Sequence, residues 1–90
     1  LTMKVTYQTC CGVDVHKSFL VATIVKTTGG IEPYYQKKRF STFNNSILEF
    51  KHWLLDNDCH DVCMESTGKY WVPVFNLLED EINVVLVPTI

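Results

Sequence analysis

The chain has 90 residues, of which 47% are hydrophobic and 20% are charged, a composition typical of one globular domain with its own core. The formal net charge of −2 excludes a basic nucleic-acid-binding tail and an acidic solvating tail. If the protein binds nucleic acid, we expect this segment not to make the main electrostatic contact, so that metal ions or other parts of the chain supply the positive charge. No apolar run is long enough to cross a membrane, and the short polar start does not resemble a signal peptide. We expect a cytoplasmic protein with no membrane partner.

Residues 1–9 are expected to be a lead-in segment, and residues 10–90 to form the domain. Three strands are predicted in the first part of this domain, because β-branched and apolar residues dominate there. Between the second and third strands, Thr27-Thr28-Gly29-Gly30 is typical of a hairpin turn. The third strand carries Lys37-Lys38-Arg39, charges that discourage pairing with another sheet, so we expect it at an edge. The three strands are predicted over residues 10–16, 19–26 and 34–40.

A helix is predicted where the hydrophobic period changes, and it is expected to end near residues 57–58. The residues at helical spacing are Phe43, Ile47, Phe50 and Leu54, and the candidate caps are Ser41, Thr42 and Asn44. After a short strand at 62–65, a second helix is predicted from about Tyr70 to Asp80, with Pro73 in its first turn, where a missing N–H is harmless. Its inward residues are expected to be Val74, Leu77 and Leu78. A last strand at 83–87 has the apolar character of a buried parallel strand.

The predicted order, β-β-β-α-β-α-β, is that of a ribonuclease H-like α/β fold with a mixed five-stranded sheet. The first, fourth and fifth strands would run parallel, with right-handed crossovers through the helices. The expected spatial order of the strands is 3-2-1-4-5, with the domain truncated after the fifth strand.

Asp14 is the most informative residue, because it lies in the middle of an apolar strand where we expect it to be buried. A buried carboxylate needs a cation, a metal or hydrogen bonds. Glu65 is a second acid in a similar setting, at the end of the fourth strand, which would neighbour the first. Sites in open α/β sheets lie at the carboxyl ends of such strands. Two convergent carboxylates repel each other, and Mg²⁺ or Mn²⁺ suits their oxygen ligands.

Each of these residues also has a structural interpretation. Asp14 could face solvent or pair with Lys17, and Glu65 could be an acid at a helix N-terminus. Lys17 and Lys69 follow the two acids and could contact phosphates, although solvated positions explain them equally well. For Lys37-Lys38-Arg39 we favour edge protection over nucleic-acid contact. His16, His52 and His60 have no obvious partners.

The four cysteines are Cys10, Cys11, Cys59 and Cys63. Cys59 and Cys63 have the spacing of half a zinc site, but the other half would have to be Cys10 and Cys11, which point to opposite faces of a strand. Buried free thiols in a reducing compartment are the interpretation that we favour.

Three segments together resemble the amino-terminal domain of bacterial insertion-sequence transposases of the DEDD type, relatives of the Piv DNA invertase with a RuvC-like catalytic domain. They are Cys11-Gly12-Val13-Asp14-Val15-His16-Lys17, Cys63-Met64-Glu65-Ser66-Thr67-Gly68-Lys69-Tyr70-Trp71 and Val84-Val85-Leu86-Val87. The resemblance implies a Mg²⁺-dependent DNA recombinase that cuts and rejoins phosphodiesters, with Asp14 and Glu65 as the first two catalytic, metal-binding acids.

The resemblance also implies partners and missing parts. Members of that family work on DNA with a structured guide RNA, and their last two acids and a nucleophilic serine lie beyond the fifth strand. Residues 10–90 would thus be a partial RuvC-like domain, inactive by itself, and an exposed fifth-strand edge predicts a homo-oligomer.

Two other functions remain open from the sequence. Sugar kinases and actin-like ATPases begin with a strand, an acid and a hairpin, but their hairpin loop needs glycine for close approach to phosphate, and Val15-His16-Lys17-Ser18 contains none. A non-catalytic interaction module could keep the fold and use the acids structurally.

Overall fold

The computed structural model describes residues 9–27 and 33–87, which form five strands and two helices. The elements are β1 (Thr9–Val15), β2 (Phe19–Lys26), β3 (Tyr34–Ser41), α1 (Asn44–Asp56), β4 (Asp61–Ser66), α2 (Trp71–Leu78) and β5 (Asn83–Leu86). Residues 1–8 of the predicted lead-in and most of the predicted Gly-Gly hairpin turn lie outside the described residues, whereas Thr9, also assigned to the lead-in, begins β1. No helix in the described part is long and apolar enough to span a membrane.

The five strands form one sheet in the order β3-β2-β1-β4-β5. β1 pairs antiparallel with β2, and β2 pairs antiparallel with β3. β4 pairs parallel with β1 on one side and with β5 on the other. This is the predicted ribonuclease H-like arrangement, and β3 is an edge strand as its charges indicated.

Both helices cover the same face of the sheet, because alternate strand residues pack against them. Val13 and Val15 of β1 are buried together with Phe50 of α1 and Val74 of α2. The intervening residues, including Gly12 and Asp14, are exposed. We call this second side, formed by Gly12, Asp14 and their neighbours in register on the other strands, the open face. It positions the candidate site.

The start of α1 differs from the prediction. Phe43 is the N-cap residue, and no side chain caps the helix. The Ser41 hydroxyl instead donates to Ser46 Oγ at 2.8 Å and accepts from the Phe43 N–H at 3.4 Å. Thr42 Oγ1 donates to the carbonyl of Lys17 at 2.9 Å. The predicted cap residues therefore join the helix start to β3 and to the turn after β1.

The second helix follows the prediction closely, whereas the last strand does not. Pro73 lies in the first turn of α2, and Val74 and Leu78 are buried while Leu77 packs partly against the core. β5 was expected to be buried, but Val85 is 55% exposed and Leu86 is 40% exposed. It is the last strand of the described sheet, with β4 as its one described neighbour. Val85, the Cα partner of Cys63, lies on the open face, which no described element covers.

Candidate active site

Asp14 and Glu65 are direct neighbours across the sheet. In the parallel register of β1 and β4 their Cα atoms are partners, and adjacent strands lie about 4.8 Å apart. Since Val13, Val15, Met64 and Ser66 are buried on the helix side, strand alternation puts both carboxylates on the open face. The two acids that the sequence singled out are therefore brought together at the carboxyl ends of β1 and β4.

The expected burial of Asp14 is wrong. Its side chain is 58% exposed, and Glu65 is exposed as well. The apolar neighbours of Asp14 face the helices, whereas Asp14 itself faces the side of the sheet that no described element covers. The alternative for Glu65, an acid at a helix N-terminus, is also wrong, because Glu65 lies within β4 and α2 begins only at Trp71.

His16 is the partner of Asp14 that the sequence interpretation missed. Its Nε2 lies 3.0 Å from Asp14 Oδ2, and its ring stacks on that of Phe19 with centroids 4.5 Å apart. The His16 backbone N–H donates to the Phe19 carbonyl at 2.8 Å. The spacing of two residues between Asp14 and His16, which places both on one face of an extended chain, was the available signal.

A shallow cavity of about 690 Å³ lies over the carboxylates on the open face. Its charged lining residues are Asp14, Glu65 and Lys37, and Thr23 and Cys63 also contribute. A cavity with two acids and a cation at its rim can accept a hard cation together with a phosphate. It is wide and open rather than a closed pocket for a small molecule.

The carboxylate pair has the oxygen donors that a divalent metal ion takes. Two neighbouring carboxylates repel each other, and a divalent cation between them relieves that repulsion. Among residues 9–27 and 33–87, however, no group of three or more His, Cys, Asp or Glu side chains could hold a metal ion. The zinc interpretation of the cysteines is likewise unsupported there. The donors fit Mg²⁺ or Mn²⁺ by type, and a complete site needs further oxygen ligands.

Lys17 and Lys69 lie at the same end of the sheet as the acids. Both are exposed, Lys17 in the turn after β1 and Lys69 just before α2. The two loops are joined, because the Thr67 N–H donates to the Val15 carbonyl at 3.3 Å. Gly68 has a φ of +59°, a left-handed conformation that suits glycine and turns the chain toward Lys69. Phosphate contact by these lysines stays a prediction.

A family model described as Transposase, of the DEDD type named for IS110, matches residues 11–90. No curated protein shows significant similarity to the chain.

Solved structures show the same fold. The resolvase of fowlpox virus, solved with Holliday junction DNA, is 14% identical with a TM-score of 0.61 over 91% of this chain and 62% of that chain. An exopolyphosphatase from Cytophaga hutchinsonii is 10% identical with a TM-score of 0.62, covering 89% of this chain and 34% of its own. The Aquifex aeolicus PPX-GPPA enzyme is 10% identical with a TM-score of 0.60, over 88% of this chain and 36% of that chain. The chain thus spans about a third of the two phosphatase-type structures.

Proposed function

Because the chain belongs to the DEDD transposases of the IS110 type, we propose that it is the amino-terminal part of a metal-dependent DNA recombinase. Asp14 and Glu65 are then the first two of its metal-binding, catalytic carboxylates. The observation that carries the proposal is their cross-strand pairing on the open face. Two acids in register at the carboxyl ends of adjacent parallel strands are placed where α/β sheets form their sites.

Asp14 and Glu65 would hold Mg²⁺ or Mn²⁺ together with carboxylates from outside the described residues. A bound metal of this kind polarises a phosphoryl oxygen and stabilises the charge that develops in phosphodiester cleavage. His16, whose ring stacks on Phe19, would orient the Asp14 carboxylate, because its Nε2 lies 3.0 Å from Oδ2. This contact leaves Oδ1 for a ligand. Lys17 and Lys69 would contact phosphates beside the pair.

DNA is the proposed substrate, and a structured guide RNA and a second copy of the chain are proposed partners. The family membership supports these proposals. A kinase or ATPase function has less support, because the turn after β1 has no glycine and therefore lacks the backbone approach that a phosphate-cradling loop needs. The likeness to phosphatase-type structures is a likeness of fold, and one fold hosts many chemistries.

Titrating Mn²⁺ into ¹⁵N-labelled protein tests the carboxylate pair. Paramagnetic broadening should be strongest at the amides around Asp14 and Glu65. Two protein ligands bind weakly, so a dissociation constant in the millimolar range is expected. Asp14→Asn and Glu65→Gln should each weaken binding at least about tenfold, which corresponds to about 1.4 kcal/mol.

Glu49→Gln is the matched control, because it removes one exposed carboxylate from α1 without touching the open face. It should leave the broadening unchanged. Broadening centred elsewhere, for example on Asp80 and Glu81, or equal losses in the Glu49 variant, would contradict the proposed metal site.

A further inference from the structure

The basic run of β3 is divided between the two faces of the sheet. Phe40 is buried on the helix side, so alternation puts Lys38 on that side and Lys37 and Arg39 on the open face. The Nζ atom of Lys38 lies 5.2 Å from the centroid of the Phe40 ring, in agreement with that assignment. Edge protection would explain all three charges alike, but only Lys37 and Arg39 share a face with the carboxylate pair.

Arg39 lies in one cross-strand row with the two acids. Its Cα partner on β2 is Val21. Val21 in turn pairs with Asp14 on β1, and Asp14 pairs with Glu65 on β4. Two strand spacings of about 4.8 Å separate the backbones of Arg39 and Asp14, or roughly 10 Å. A nucleic-acid strand that rises about 3.4 Å per nucleotide covers this distance in about three nucleotides. Lys37 lies in the neighbouring row on the same face, opposite Thr23 and Gly12, and it lines the same cavity as Asp14 and Glu65.

A chain of side-chain contacts fixes Arg39 relative to Asp14. The Arg39 Cζ lies 4.0 Å from the centroid of the Phe19 ring, Phe19 stacks on His16, and His16 Nε2 is 3.0 Å from Asp14 Oδ2. A guanidinium held over an aromatic ring is restricted in position, and its N–H groups stay available at the edge of the contact. It is then preorganised to donate two hydrogen bonds to a phosphate.

We propose that Lys37 and Arg39 bind the phosphates of a DNA strand that crosses the open face toward Asp14 and Glu65. The inference rests on the proposed function for the reacting position, and it adds the path by which the strand reaches it. In a chain with a net charge of −2, these two cations offset the repulsion between the acids and the DNA backbone. Val21 and Thr23 of β2 form the floor between the two ends of this path.

The test is fluorescence anisotropy of a labelled single-stranded DNA with the full chain in EDTA, over a series of salt concentrations. Lys37→Ala, Arg39→Ala and Lys38→Ala each remove one positive charge from the same strand. The first two should each weaken binding several-fold and reduce the slope of log K against log salt by about 0.7, the value for one phosphate contact on a single strand. Lys38→Ala, on the opposite face, should leave both the affinity for DNA and the salt slope nearly unchanged. Circular dichroism of each variant checks that the fold is kept.

Three results would overturn the inference: equal losses in the Lys38 and Arg39 variants, no binding by the wild type at about 100 μM chain, or at least tenfold tighter binding of RNA of the same sequence. EDTA separates this test from that of the metal site. Asp14→Asn should not weaken DNA binding without metal, because it removes a negative charge. If Mn²⁺ binds at Asp14 and Glu65 while Lys37→Ala and Arg39→Ala have no effect on DNA, the proposed function stands and the strand path is wrong.

Discussion

At the scale of single residues, the cysteines show how position in the sheet sets reactivity. Cys11 and Cys59 are buried in the core. Burial, with the neighbouring thiols, raises the pKa of Cys11 to about 12 and that of Cys59 to about 11. The thiolate is the reactive form, so both are inert near neutral pH. Cys63, by contrast, is exposed and lies two residues before Glu65 on the open face.

We predict that iodoacetamide at pH 8 modifies Cys63 well before Cys11 and Cys59, which react only after unfolding. Mass spectrometry of digested protein at successive times measures the order. The adduct on Cys63 would occupy the cavity beside Glu65 and should weaken Mn²⁺ binding by the wild type. Cys63→Ala should bind Mn²⁺ as tightly as the untreated wild type, both before and after treatment with iodoacetamide. Modification of Cys11 at the rate of Cys63 would contradict the described packing.

Between elements, Lys51 joins the two helices. It is buried in α1, and its Nζ lies 2.6 Å from Asp80 Oδ1 and 3.2 Å from Glu81 Oε1, just after α2. The hydrogen bond to Asp80 raises the pKa of Lys51 and lowers the pKa of Asp80. Because the acids remain largely exposed, water screens part of this interaction. The interaction ties α1 to the segment that follows the C-terminal end of α2.

We predict that Lys51→Met lowers the melting temperature by a few degrees at pH 7. A carboxyl whose pKa is lowered by folding stabilises the fold above its ordinary value of 3.8, and this contribution is lost as the pH falls through the folded-state pKa. The difference between wild type and variant should therefore narrow below about pH 4. The difference in melting temperature should narrow again above pH 10.5, the ordinary pKa of a lysine, as Lys51 loses its proton.

Thermal unfolding followed by circular dichroism at pH 3, 5 and 7 measures this difference. Lys69→Met, at an exposed position, is the control and should leave the melting temperature nearly unchanged. A difference between wild type and Lys51→Met that is constant from pH 3 to pH 7 would show that packing, and not the ion pair, accounts for the loss.

In the whole molecule, the two edges of the sheet differ in charge. β3 carries Lys37, Lys38 and Arg39 along its edge, whereas β5 (Asn83–Leu86) has no charged residue. Val85 and Leu86 of β5 are exposed. An uncharged, apolar edge strand is a template for pairing with another strand. The described part of the fold therefore favours self-association through β5, the route to the proposed homo-oligomer.

We predict that Val85→Lys reduces self-association measured by sedimentation velocity at increasing concentration. A charge on the edge strand must be desolvated or repelled when two copies pair. Asn76→Lys adds the same charge at an exposed position of α2 and should leave the association intact. A wild type that is monomeric at every concentration, or equal effects of both substitutions, would contradict pairing through β5.

Much of the fold follows from local pattern. The segments rich in β-branched and apolar residues form strands within one or two residues of the predicted ends, and the helical spacing of Ile47, Phe50 and Leu54 lies within α1. The cap of α1 was not predictable in this way, because Ser41 and Thr42 have tertiary partners in Ser46 and Lys17. The exposure of β5 also depends on what lies beside it, which an apolar run of residues does not reveal.

Residue type, spacing and chain connectivity were enough to predict the strand order, the family resemblance, and Asp14 and Glu65 as the candidate acids. Which face of the sheet is covered depends on the packing of the helices, and local sequence pattern did not reveal it. Because α1 and α2 pack on one face, Asp14 is exposed on the other, where His16 is its partner. Lys37 and Arg39 lie on that face, and Lys38 lies on the helix side. The physical reason is that alternation along a strand defines two faces, whereas burial depends on where α1 and α2 pack.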